Sequence, residues 1–261
     1  MRSRAWGYAA AQALGLDTSQ YDLRGGNVHQ TGAHGWYQGK GVVNDRPITF
    51  AAFFAALPDA VRNTVATTGD RTISFSKREA SKYRSHEGLD WKMEAALSIT
   101  RKRFVKCHEA GARVIFIGNG GSAAIASHMA IDYTKNGGVR AMAFNDVPTL
   151  TCLANDFGYD NVFAKQLEYY ATKKDVVVIV SSSGRSLNIL AAARTAKAMG
   201  CYVVTFTGMN PNNALRALGD LNYWVPSADY GLVELTHLSL LHAMADVRLP
   251  VERAAAWRKR R

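Results

Sequence analysis

The sequence predicts an α/β protein built on a parallel sheet with helices on both faces, and three observations predict it. Apolar, β-branched segments of strand length recur five times after residue 110: RVIFIG, RAMAFN, DVVVIVSS, YVVTFTG and LNYWVP. Helix-like stretches lie between them, and strands joined by helical crossovers pair in parallel. A length of 261 residues with 48% hydrophobic content is ample for one sizeable core. In sheets of this kind ligands bind beyond the carboxyl ends of the strands, near the switch in strand order, so the loops after the strands are where function is sought.

Taken in order, residues 1–85 form an extension in which LRGGNVHQTGAHGWYQGKGVVNDRPI is rich in Gly and Asn without a sustained period. Only TFAAFFAALPDAVRNTVA there reads as helix. GWYQGKG lacks the spacing of a phosphate loop and the hydroxyl after Lys40 that would bind magnesium, so it is given no chemistry. EGLDWKMEAALSITRKRFVKCHEAG opens the regular part with Leu97, Ile99, Phe104 and Val105 at roughly helical intervals and stops at Gly111. The later helices are SAAIASHMAIDYTK, VFAKQLEYYATK, LNILAAARTAKAMG, PNNALRALGD and YGLVELTHLSLLHAMADVRL. The domain is expected to run from 86 to 250, with residues 251–261 a basic tail.

The net charge of +11 suggests a nucleic-acid partner until it is divided along the chain. Residues 1–110 carry 16 Lys and Arg against 10 Asp and Glu, residues 111–250 carry 11 against 10, and residues 251–261 carry 5 against 1. The organised part is nearly neutral, and no aromatic interleaving accompanies the basic runs SKREASKYR, TRKRFVK and WRKRR. Solvated helix faces explain them better than a nucleic-acid surface. No apolar run approaches the roughly 20 residues of a membrane span, and MRSRAWGYAAAQALGLD is interrupted by Gln12 with no cleavage site after it. A cytoplasmic protein is expected. Cys107, Cys152 and Cys201 lack metal-ligand spacing and sit among apolar neighbours, which suits reduced, buried thiols.

Two loops carry the chemistry. IGNGGSA follows a strand and opens a helix, where backbone amides and the helix dipole favour an anion and Gly118, Gly120 and Gly121 allow close approach. The same residues fit a tight turn, or a dinucleotide fingerprint of Gly118, Gly120 and Ala123 with Asp146 as its ribose acid. The second loop, VVVIVSSSGRSLN, places Ser181, Ser182, Ser183 and Ser186 around Gly184 just before a helix. One serine suffices as a cap, whereas four hydroxyls and helix-start amides make a dense set of donors for one phosphate. Arg185 is either an aid to that phosphate or a solvated side chain.

The pair GNGGS and SSSGRSLN resembles the sugar isomerase (SIS) domain family, and CLANDFGYDNVFAKQLE and the late HLSLLH are similar to its phosphoheptose isomerase branch over about residues 88–247. The resemblance implies a flavodoxin-like three-layer sandwich with a five-stranded parallel sheet and a phosphorylated sugar as ligand. It also implies aldose–ketose isomerisation of sedoheptulose 7-phosphate through an enediol, without a nucleotide cofactor, and a homotetramer. Isomerisation through an enediol needs a base over the carbon and an acid at the carbonyl oxygen. At the family's base and acid positions this sequence has Asp132 and His242, the base one methylene shorter than the family's Glu. The family's zinc ligands fall on His128, Asp132, Glu234 and His242, with Glu234 where the family has Gln. Asn119, Gly120 and Gly121 would line the sugar, with Asn155, Asp156 and Glu234 as further substrate contacts.

Glu234 and His242 are eight residues apart, about 12 Å of rise on a continuous helix, too far to grip one ion together. Either one comes from a neighbouring subunit or Glu234 precedes the helix, and the first, an intersubunit site, is expected here. His237, on another face, reads as a hydrogen-bonded core histidine. Two rival functions stay open at this point: a non-catalytic sugar-phosphate-binding or regulatory protein, and a dinucleotide enzyme.

Overall fold

The computed structural model describes residues 50–68, 71–72 and 91–246. Along the chain these form α1 (Phe50–Arg62), β1 (Val65–Thr68), β2 (Arg71–Thr72), α2 (Trp91–Glu109), β3 (Val114–Gly118) and α3 (Gly121–Lys135). There follow β4 (Ala141–Ala143), α4 (Val147–Phe157), α5 (Val162–Tyr170), β5 (Val176–Ser181), α6 (Leu187–Ala198), β6 (Tyr202–Thr207), β7 (Leu221–Trp224) and α7 (Tyr230–Asp246).

One sheet in the order β2-β1-β7-β6-β5-β3-β4 contains all seven strands. The last five in the chain pair in parallel. Counted in chain order, they lie side by side as second, first, third, fourth and fifth. That is the flavodoxin-like order, and its switch point falls between β3 and β5. Two further strands extend the sheet: β1 pairs antiparallel with β7, and β2 with β1. So Val65–Thr68 and Arg71–Thr72, placed in the extension by the sequence, join the sheet. The motif GWYQGKG and the basic tail lie outside the described residues.

Burial explains why the five strands read as unbroken apolar runs. Every residue of β3 and β5 is buried, because both faces are covered. Val176, Val178 and Val180 face a core shared with α2, α3 and α7, while Val177 and Ile179 face a second core shared with α4, α5 and α6. Tyr133 of α3 lies in the first core, edge-on to Phe104 with ring centroids 5.3 Å apart.

Three local readings are corrected. PNNALRALGD forms only a short 3-10 turn, Ala214–Ala217, because Asn213 caps it, accepting from the Arg216 amide at 3.0 Å, and Leu218 closes it. The helix begun by TFAAFFAALPDAVRNTVA ends at Arg62, and its β-branched remainder becomes β1. Cys107 and Cys201 are buried, but Cys152 is exposed, since it lies on the outer side of α4 beside buried Leu153. All three thiols are free, and burial pushes those of Cys107 and Cys201 up to about 11.

Candidate active site

The two loops singled out in the sequence lie on neighbouring strands, with Gly118 at the end of β3 paired in register with Val180 of β5. Only Asn119 and Gly120 separate β3 from α3. Gly118 is required there because a Cβ would lie 2.5 Å from the Ser122 carbonyl oxygen. Gly120 turns the chain with φ 54° and ψ −124°, a region open to glycine.

Asn119 ties the loops together. Its Nδ2 donates to Asn188 Oδ1 at 2.9 Å, and Asn188 Nδ2 returns a bond to Asn119 Oδ1 at 3.0 Å. Asn188 lies in the first turn of α6, directly behind the serine loop. The two strand tips are therefore adjacent and tied to each other.

Within the serine loop the four hydroxyls differ. Ser181 is buried and its Oγ accepts from the Gly184 amide at 3.2 Å, which leaves its proton available for donation. Ser182 is 4% exposed, and its Oγ has no hydrogen-bond partner among the described residues. Thr207 Oγ1 at the end of β6 and Thr236 Oγ1 of α7 share that state, and an orphan hydroxyl in a strand-end loop suits a site that receives an anion. Ser183 is half-buried, and Ser186 stands at the start of α6 without using its side chain as a cap. Gly184 has φ 61°, and its missing Cβ is replaced by the Asn213 side chain. Arg185 is exposed.

The second group of side chains lies farther down α3. His128 Nε2 is 3.2 Å from Asp132 Oδ2, and His242 Nδ1 of α7 approaches the same oxygen at 3.7 Å. The two imidazoles meet edge-on with centroids 5.2 Å apart. One ligand atom from each of these three residues lies within 4.8 Å of the others, a nitrogen–oxygen–nitrogen set that fits zinc. Tyr133, next to Asp132 in the chain, donates its buried hydroxyl to the Leu241 carbonyl at 2.9 Å. That bond fixes α3 against α7 one residue from each of Asp132 and His242. Sequence reasoning missed it, because a core tyrosine carries no motif.

Glu234 does not join that group. It lies inside α7, as does His242, which removes the alternative that it precedes the helix. Its carboxylate rests on Gly121, where a Cβ would come within 2.5 Å of Oε2, and burial raises its carboxyl above the usual range. Gly121 is thus what lets an acid sit at the mouth of the first loop. His237 is fully buried, with Nε2 3.0 Å from the Thr207 carbonyl oxygen, and desolvation lowers it to about 4. It stays neutral near pH 7.

Asn155 and Asp156, expected as substrate contacts, occupy the last turn of α4, a helix absent from the sequence reading. They bond to each other at 2.9 Å and are exposed. The residue from this region that does reach the loops is Tyr159, whose hydroxyl lies 3.2 Å from Asn119 Oδ1. Asp146 caps α4, accepting from the Thr149 amide at 3.0 Å and from its hydroxyl at 2.6 Å. That duty to its own helix argues against its being the ribose acid of a dinucleotide site.

Fold and site together define a doubly wound α/β domain with glycine- and serine-rich loops at its switch point and a flanking histidine–carboxylate group. The SIS domain family matches residues 85–208. The phosphoheptose isomerase of Mycobacterium tuberculosis is 38% identical over 161 residues, covering 59% of this chain and 81% of that protein. The Burkholderia pseudomallei phosphoheptose isomerase is 43% identical over 138 residues, 51% of this chain and 70% of that protein. In structure, the phosphoheptose isomerase GmhA from Neisseria gonorrhoeae superposes with a TM-score of 0.59 at 29% identity, covering 75% of this chain and 95% of GmhA. This chain belongs to the SIS domain family, among the phosphoheptose isomerases.

Proposed function

We propose that the protein is a phosphosugar aldose–ketose isomerase that interconverts sedoheptulose 7-phosphate and its aldoheptose partner through an enediol. The observation that carries the reading is the tie between the two strand-end loops, Asn119 to Asn188, together with a buried serine hydroxyl without a partner in the second loop. Ser181, Ser182, Ser183 and Ser186 would hold the phosphoryl group, with Asn119, Gly120 and Gly121 along the sugar. Asp132 would take the carbon-bound proton and His242 would serve the carbonyl oxygen. Asn155, Asp156 and Glu234 would complete the sugar pocket, Glu234 from its place over Gly121.

The metal reading rests on the donor set. His128, Asp132 and His242 would hold zinc, with Glu234 as a fourth ligand only if supplied by another subunit. Zinc, when bound, would polarise the sugar carbonyl as a Lewis acid.

Distance makes the site intersubunit in this reading. Asp132 lies eleven residues beyond Gly121 on α3, about 16 Å along the axis. That is longer than the reach from phosphorus to first carbon in an extended heptose phosphate. The loops of one subunit and the His–Asp group of its partner would therefore share one sugar. Ile131, 58% exposed, and Leu235, 40% exposed, provide apolar surface beside the His–Asp group and Glu234 for such a contact. A homotetramer in the cytoplasm is the expected state; no helix among the described residues is long and apolar enough to cross a membrane.

Purified protein is expected to convert sedoheptulose 7-phosphate to an aldoheptose phosphate, with the equilibrating sugars followed by NMR in the presence and absence of zinc. Absence of product under every metal condition, with phosphosugar still bound in calorimetry, would replace this reading by a sugar-phosphate-binding role.

A further inference from the structure

We propose that Tyr159 is a positioning residue that fixes which end of the Asn119 amide faces the sugar; this rests on the isomerase reading above. An amide side chain has two acceptor lone pairs and two donor hydrogens. Asn119 Oδ1 receives Asn188 Nδ2 at 3.0 Å and the Tyr159 hydroxyl at 3.2 Å, so both lone pairs are engaged. Its Nδ2 gives one hydrogen to Asn188 Oδ1 at 2.9 Å. One N–H remains, so Asn119 offers a ligand a donor and nothing else.

The phenol is what favours this arrangement over its inverse. A reciprocal pair of amides is indifferent to a simultaneous half-turn of both groups, since the two bonds between them survive the exchange of nitrogen for oxygen. Tyr159 biases the choice toward oxygen, because a phenol is a stronger donor than acceptor: inverted, the pair would exchange an O–H bond to the amide oxygen for an N–H bond to the weaker phenol oxygen. It is placed to do so by the 3-10 turn Tyr159–Asn161, entered through Gly158 at φ 78°, and its ring is half exposed. In enediol chemistry charge develops on the sugar oxygen next to the carbon that loses its proton. A fixed N–H there stabilises the developing oxyanion more than the starting sugar, and such an effect raises kcat more than it lowers KM.

Tyr159→Phe keeps the ring and removes the hydroxyl. For sedoheptulose 7-phosphate, kcat is expected to fall about 3- to 10-fold, the worth of one neutral hydrogen bond. KM and inhibition by inorganic phosphate should change by less than about twofold, since phosphate binding does not use this amide. Asn119→Asp, which has acceptors only, should lower kcat by about a hundredfold. An unchanged kcat in Tyr159→Phe, or a loss shared equally by KM and phosphate inhibition, overturns the assignment. The side-chain amide signals of protein labelled with 15N-asparagine give a readout independent of turnover. Tyr159→Phe should shift those of Asn119 and Asn188, and unmoved signals overturn the positioning role even if the wild-type protein proves inactive on the heptulose phosphate, an outcome that would separately remove the isomerase reading.

Discussion

His242→Ala lowers kcat for sedoheptulose 7-phosphate by about a thousandfold, the scale of a lost proton-transfer group. The imidazole is half-buried, with Nδ1 3.7 Å from Asp132 Oδ2 and its ring against that of His128. Its removal takes away the group assigned to the carbonyl oxygen and one of the three converging ligand atoms. Folding should survive, because the bond that sets α3 against α7 runs from Tyr133 to the backbone of Leu241 and uses no part of the imidazole. Steady-state kinetics with a urea unfolding curve on the same preparation checks both halves. Inhibition by inorganic phosphate should be retained, since the serine loop is untouched. His237→Asn is the contrast: it removes a buried ring that bonds to the Thr207 carbonyl, so stability falls while the proton-transfer groups remain. Equal loss of kcat in the two variants would show that helix packing, and not the His242 imidazole, sets the rate.

The second large effect is on the serine loop. Gly184→Ala forces a side chain into the left-handed region at φ 61° and into the space held by the Asn213 amide. Asn213 has little freedom to yield: its Oδ1 accepts from the Arg216 amide and its Nδ2 donates to the Asn210 carbonyl at 2.9 Å. Left-handed strain and overpacking together should destabilise the protein by about 2–4 kcal/mol and displace the Ser181–Ser186 loop. Gly120→Ala is the control, because its φ of 54° is strained but nothing lies within 4 Å of the added Cβ. It should cost about 1–2 kcal/mol. Urea denaturation with calorimetric titration of phosphate separates them: both lose stability, and Gly184→Ala loses more of both stability and phosphate affinity.

Strands β3 and β5 were the plainest to read because a strand buried on both faces is an almost uninterrupted apolar run, while the half-buried edge strand β4 was legible from its place in the alternation of strands and helices. The short strands β1 and β2 were not, since two to four residues carry no period and their placement depends on pairing with β7. Helix α4 was missed for a local reason. Its first turn contains Pro148 and its last contains Asn155 and Asp156, residue types that announce a turn, whereas the informative signal was Asp146 capping Thr149. The same reading concealed Tyr159, which sits in the turn that follows.

Both strand-end loops were readable as motifs, and so were the residue types at 128, 132, 234 and 242. Their grouping was not. Asp132 and His242 are 110 positions apart, and only the packing of α3 on α7 brings them together, while the same packing sends Glu234 to Gly121. A helical rise of about 12 Å between Glu234 and His242 already implied that separation from spacing alone. What spacing could not supply was the amide pair between Asn119 and Asn188, which ties two adjacent turns together.

The most direct measurement mixes two inactive proteins. Ser183→Asp sets a carboxylate among the serines and repels the phosphoryl group, while leaving the His–Asp group intact. His242→Ala leaves the loops intact. Dissociated and reassembled at equal amounts, the two should regain about one quarter of wild-type activity, since half of the loops and half of the His–Asp groups are sound and a working site needs one of each. A mixture no more active than either parent would contradict a sugar held by one subunit and worked on by the next.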